Sequence, residues 1–74
     1  MTETPLSHFD LPELGERLRM ARENARFTQK DAADAISVAR TTLVAIEQGK
    51  RRVQMGELQQ LAKLYRTSVN AILR

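Results

Sequence analysis

Residues 28–49, TQKDAADAISVARTTLVAIEQG, decide how this chain folds. Ala32, Ala33 and Ile36 repeat with the spacing of one helical face, and Leu43 and Ile46 resume that spacing beyond a break. Val38 is the apolar residue inside the break. Thr28 suits the N-cap of the first segment, and Asp31 three residues later makes an approximate capping box. Gly49 supplies the stop signal after the second segment. Ala33 carries only a methyl group, at a point where a second helix has to cross closely. The pattern predicts two short helices, about Gln29–Ile36 and about Arg40–Gln48, joined through Ser37, Val38 and Ala39. Two helices crossing steeply around so short a turn form the helix-turn-helix plan.

Working outward, residues 11–25 carry Leu11, Leu14, Leu18, Ala21 and Ala25 on one stripe, which predicts a first helix over about Leu11–Asn24. Asp10 suits its N-cap, with Pro12 and Glu13 in the first turn, where proline and negative charge are both favourable. Leu58, Leu61, Ala62 and Tyr65 predict a fourth helix over about Met55–Tyr65. Ser68 caps a last short helix containing Val69, Ile72 and Leu73. Residues 1–10 (MTETPLSHFD) show no periodicity and read as a flexible N-terminal arm, with Phe9 expected to pack against the first helix. The expected organisation is an all-α, compact five-helix bundle over residues 11–74, with no strand signals, repeats or low-complexity tracts.

Composition narrows the classes. At 74 residues, with 42% hydrophobic and 28% charged residues, the chain is one small globular domain. It has no cysteine, so neither disulfides nor a thiolate metal site support it, and a single histidine, His8, is too isolated for a metal or catalytic centre. Nothing approaches a transmembrane length or a signal peptide, so a cytoplasmic location is the default expectation. No nucleophile sits with a base, and no glycine-rich phosphate loop or ligand cluster occurs; the chain does not read as an enzyme, and no cofactor or metal is expected. Twelve Lys and Arg against nine Asp and Glu leave a charge of +3, which suits a polyanionic partner.

The placement of charge says more. With Leu43 and Ile46 buried, the opposite face of the third helix presents Thr41, Val44, Ala45 and Gln48. Arg40 stands near the N-terminus of that helix, the end this plan points at base edges. Arginine can bind guanine O6 and N7 with two hydrogen bonds, Thr41 can hydrogen-bond a base or phosphate, and Val44 and Ala45 can touch thymine methyls. Lys50, Arg51 and Arg52 follow directly, where phosphates would lie.

In these features the chain resembles the lambda repressor/Cro-like (Xre-type) helix-turn-helix DNA-binding family, over about residues 11–73. The resemblance rests on Thr28-Gln29, Ala33, Val38, Arg40-Thr41-Thr42-Leu43, Ile46-Glu47 and Gly49-Lys50. It also rests on the run from Leu58 through Leu61-Ala62, Tyr65 and Ser68 to Ile72-Leu73. It implies that Arg40, Thr41, Val44 and Ala45 read bases, while Gln29, Thr42, Gln48, Lys50, Arg51 and Arg52 hold phosphates. It implies further that Arg22 and Glu47 form a partly buried structural salt bridge. Arg26, Ser37 and Arg66 stand where the family often has glycine at positive φ, and Ala39 replaces a Ser or Thr cap.

The function so implied is a sequence-specific, double-stranded DNA-binding transcriptional regulator, a repressor that binds a palindromic operator as a homodimer. The alternatives are an antitoxin that binds a toxin and autoregulates its operon, or the N-terminal DNA-binding domain of a longer protein with a peptidase or effector domain. The chain stops at Arg74 directly after the last helix, as either a very small regulator or an excised domain would.

Overall fold

A computed structural model describes residues 11–74. Five helices follow in order: α1 (Leu11–Asn24), α2 (Gln29–Ala35), α3 (Arg40–Glu47), α4 (Met55–Leu64) and α5 (Val69–Leu73). There are no strands among the described residues. The expected arm, including Asp10 as cap and the packing of Phe9, lies outside the described residues.

Local chemistry sets most of the boundaries. Thr28 adopts an extended conformation and its hydroxyl accepts from the Asp31 N–H at 3.0 Å, which fixes the start of α2. Ser68 does the same for α5 through the Ala71 N–H at 3.0 Å. α2, α3 and α4 each end one residue short of the expected bounds, because Ile36, Gln48 and Tyr65 serve as C-caps.

The four inner helix ends close in one way. At each, a left-handed residue donates its N–H three residues back, and the next residue donates to a carbonyl five back. Arg26 and Phe27 bond Glu23 and Arg22; Ser37 and Val38 bond Asp34 and Ala33. Gly49 and Lys50 bond Ile46 and Ala45; Arg66 and Thr67 bond Lys63 and Ala62. This is the Schellman arrangement, and it satisfies carbonyls that a helix end otherwise leaves open. Only one of the four left-handed residues is glycine. At Gly49 (φ 74°) a Cβ would lie 2.5 Å from the Pro12 nitrogen, so the start of α1 leaves no room for a side chain. Arg26 (φ 66°), Ser37 (φ 62°) and Arg66 (φ 59°) carry their side chains at a cost of roughly 1 kcal/mol each.

Leu18, Leu43, Ile46, Leu58 and Leu61 are fully enclosed, joined by Leu14, Ala32, Ala33, Ile36, Val53, Ala62, Tyr65 and Ile72. Phe27 and Val38, the residues after two of the left-handed positions, pack against this core. α3 is held between α2 and α1, and α5 closes against α1 and α4. Its buried face therefore leaves the opposite face of α3 toward solvent.

α3 begins without a side-chain cap: Ala39 has the extended geometry of an N-cap (φ −68°, ψ 148°) but nothing to accept a first-turn N–H. Ala39→Ser is expected to raise stability by about 1 kcal/mol, a rise of roughly 4–8 °C in melting temperature for a domain of this size. Thermal denaturation followed by circular dichroism checks this; an unchanged midpoint would mean that water already caps α3 as well as a hydroxyl would.

Candidate nucleic-acid interface

Arg40 and Thr41 are exposed at the start of α3, and Gln48 is exposed at its end. Thr42, Val44 and Ala45 are half-buried, while Leu43, Ile46 and Glu47 are buried against the core. The accessible strip is thus polar at both ends and apolar between them. Its Val44 and Ala45 portion offers a small apolar contact surface and no large side chain.

Lys50 and Arg52 are exposed in the loop after α3, and neither forms an ion pair among the described residues. Arg51, between them, is committed inward. Its guanidinium binds Glu57 through both terminal nitrogens, at 3.0 and 3.1 Å, and also donates to the Arg52 carbonyl at 3.1 Å. Glu57 in turn accepts the Gln54 N–H at 3.0 Å, capping α4. The Arg51 guanidinium holds the Glu57 carboxyl below its usual range, against the opposing effect of burial. The sequence reading missed this clamp, although Gln54 and Glu57 have the spacing of a capping box. It turns one of three adjacent cations into a brace for the loop that carries the other two.

Arg22 and Glu47 meet beneath α3. Arg22 Nε lies 2.7 Å from Glu47 Oε2 and Nη2 lies 3.2 Å from Oε1, while Nη1 donates to the Phe27 carbonyl at 2.8 Å. The two side chains are only 10% and 3% exposed. Hydrogen bonding to Glu47 raises the Arg22 pKa further above its usual value. Gln29, at the start of α2, joins the same group: its Nε2 donates to Glu47 Oε1 at 3.1 Å. Its Oε1 faces the Arg40 guanidinium at 3.5 Å.

Tyr65 lies beside this pair, with its ring 6.1 Å from that of Phe27. Its hydroxyl is buried and has no hydrogen-bond partner among the described residues. Burial first, and then the Glu47 charge, push its pKa from 10.0 up to about 12. A raised acid pKa means that its contribution to stability is complete below pH 10 and is lost as the pH rises toward 12. The chain has one tyrosine and no tryptophan, so absorbance at 295 nm follows this group alone. The expected midpoint is near 12 in the folded protein and near 10 in denaturant. A folded-state midpoint of 10 would show the hydroxyl to be solvated.

No group of three or more His, Cys, Asp or Glu able to hold a metal occurs among the described residues, and no helix there is long and apolar enough to cross a membrane. The helix-turn-helix domain family matches the chain over residues 13–73. The chain belongs to the Xre-type helix-turn-helix family. Among curated relatives, the HTH-type transcriptional regulator ImmR of Bacillus subtilis (strain 168) is 35% identical over 60 residues. That match takes in 81% of this chain but 47% of ImmR, so the helix-turn-helix chain spans about half the length of that relative. Among solved structures, the restriction-modification controller protein C.AhdI from Aeromonas hydrophila superimposes with a TM-score of 0.80 at 25% identity. That superposition covers 85% of this chain and 96% of C.AhdI. The two relatives are named as regulator and controller, and neither as an enzyme. The structural match confirms the all-α helix-turn-helix architecture expected from the sequence.

Proposed function

We propose that this helix-turn-helix domain binds duplex DNA as a symmetric pair, with α3 of each copy in the major groove of one half-site, and represses transcription by occupying a promoter in the cytoplasm. The observation that carries the reading is the solvent-facing strip of α3, with Arg40 and Thr41 at the end this motif turns to the bases and Lys50 and Arg52 directly beyond it. Arg40 and Thr41 read base edges, and Val44 and Ala45 sit against thymine methyls. Thr42, Gln48, Lys50 and Arg52 take the phosphates. Arg51 works through the loop it braces, and Gln29 has one amide N–H left for a phosphate.

A single copy offers little contact area for strong specificity, which favours binding in pairs with half-sites about 34 Å apart. The match to ImmR, which extends well beyond the matched region, favours a second reading in which the domain is the DNA-binding part of a longer regulator.

Selection of bound duplexes from a random pool tests the proposal. Wild-type protein is expected to enrich a palindromic motif, and Arg40→Ala to relax one symmetric pair of positions by about 1–3 kcal/mol. Lys50→Ala is expected to weaken binding to every duplex alike, lowering the slope of log K against log salt by about one per copy. A binding constant indifferent to salt would sink the mechanism.

A further inference from the structure

We infer that the cleft between the ends of α1 and α4 is a binding site for a small organic anion, one that carries two acid groups on an apolar body. Arg26 and Arg66 line this cavity of about 450 Å³. Both side chains are exposed, and neither forms a hydrogen bond or ion pair among the described residues. Ala25, Phe27, Leu64 and Tyr65 supply the apolar part of the lining, and no acidic residue contributes to it among the described residues. The paired rings of Phe27 and Tyr65 hold the two helix ends side by side. The volume falls in the range of small-ligand sites, which combine an apolar lining with a few polar groups.

The two arginines share a backbone setting. Each is the left-handed residue of a Schellman end, at φ 66° and 59°. Glycine holds that conformation without the cost that a side chain brings. Of the three non-glycine residues at positive φ among the described residues, two are arginine, and those two line the same cavity. Their side chains are not needed to close the helix ends. The carbonyls of Glu23 and Arg22 already accept from Arg26 and Phe27, and those of Lys63 and Ala62 from Arg66 and Thr67. Both guanidinia therefore keep their donors for a ligand. A guanidinium binds a carboxylate through two parallel hydrogen bonds, so one arginine from each helix end suits one acid group each. Phe27 and Leu64 are half-buried and leave apolar surface for the body of the ligand. The proposed DNA contacts use neither arginine, so a test on the free protein is independent of that proposal.

Titration of the free protein, followed by heteronuclear NMR, tests this with terephthalate, benzoate and inorganic phosphate as probes. Terephthalate has two carboxylates on a ring, benzoate has one, and phosphate has no apolar body. We expect saturable shifts of the Arg26 and Arg66 side-chain N–H groups and of the Phe27 ring with terephthalate, about tenfold weaker binding of benzoate, and weaker binding still of phosphate. Arg26→Gly and Arg66→Gly each remove a guanidinium and relieve the left-handed strain. Each is expected to bind terephthalate about tenfold more weakly while melting higher than the wild-type protein, so that the loss of binding cannot come from unfolding. Lys63→Ala removes an equal charge from the last turn of α4, outside this cavity, and is expected to leave binding unchanged. Phosphate binding as tightly as terephthalate would reduce the cleft to a patch of charge and overturn the inference. So would the absence of any saturable shift at about 10 mM terephthalate. Glycine variants that melt lower and bind terephthalate unchanged would assign the arginines to the dipoles of α1 and α4, with the same consequence. If the glycine variants instead lower the salt slope of duplex binding by about one per copy, with no terephthalate bound by the wild-type protein, the arginines belong to the DNA interface and the inference fails.

Discussion

Gly15→Ala is expected to destabilise the domain by about 3 kcal/mol, although alanine is the better helix former by roughly 0.5–1 kcal/mol. Gly15 lies in the middle of α1 and is buried where that helix crosses the end of α3. A Cβ there would fall on the Glu47 carbonyl oxygen and 2.5 Å from that of Ile46. Both obstacles are helix backbone, so neither can swing aside. α1 would have to lift away from α3, loosening Leu14 and Leu18 in the core. A domain of this size has a total stability of roughly 4–11 kcal/mol, so the loss would be a large share of it. Gly56→Ala supplies the control. Gly56 is exposed in the first turn of α4 with nothing within 4 Å of its Cβ direction, and that variant should gain up to about 1 kcal/mol. Urea denaturation of both variants measures the contrast. Two midpoints that rise together would refute the close crossing of α1 and α3.

Glu47→Gln is the second large effect. It keeps the volume of the side chain but leaves the buried Arg22 guanidinium without its counter-charge, for an expected loss of about 3–5 kcal/mol. Exposed pairs such as Lys30–Asp34 contribute about 0–1 kcal/mol by comparison. The reason is the asymmetry of burial: removing one member strands the charge of the other, whereas removing both leaves no buried charge and releases only the neutral Phe27 carbonyl and Gln29 amide. The double variant Arg22→Met/Glu47→Leu should therefore recover most of the stability lost in the single variant. A double-mutant cycle by chemical denaturation separates the two cases. Glu47→Gln melting like the wild-type protein would show that water, not Glu47, satisfies Arg22. At a temperature where the single variant remains folded, any change in its sequence preference is expected to be confined to the Arg40-dependent position.

These two sites mark where sequence reading reached and where it stopped. Helix starts were readable at Thr28 and Ser68 because an N-cap is a bond between near neighbours. The core residues of α2 and α3 were readable because one turn of helix repeats within four positions. Gly15 was passed over, since a glycine inside a helix looks like a minor defect until the helix crossing it is known. The basic triplet at 50–52 looked uniform, and only the fold shows Arg51 turned onto Glu57. Gln29 carried a phosphate expectation from its place at the start of α2, while its partners come from the far end of α3 and from the start of that same helix. Long-range polar geometry depends on crossing angles, and a linear pattern does not encode those.

On the proposed function, with α3 of each of two copies reading one half-site, the eight residues of α3 have a consequence for genome searching. At a rise of 1.5 Å each they span roughly 12 Å, the length of about three to four base pairs at 3.4 Å per step. A word of four base pairs recurs by chance roughly once in every 256 positions, far too often to single out one promoter among the roughly 10⁶ or more competing sites of a genome. Two such words at a set separation recur roughly once in 65,000. For a reader this short, the distance between the two words carries information that the words themselves lack.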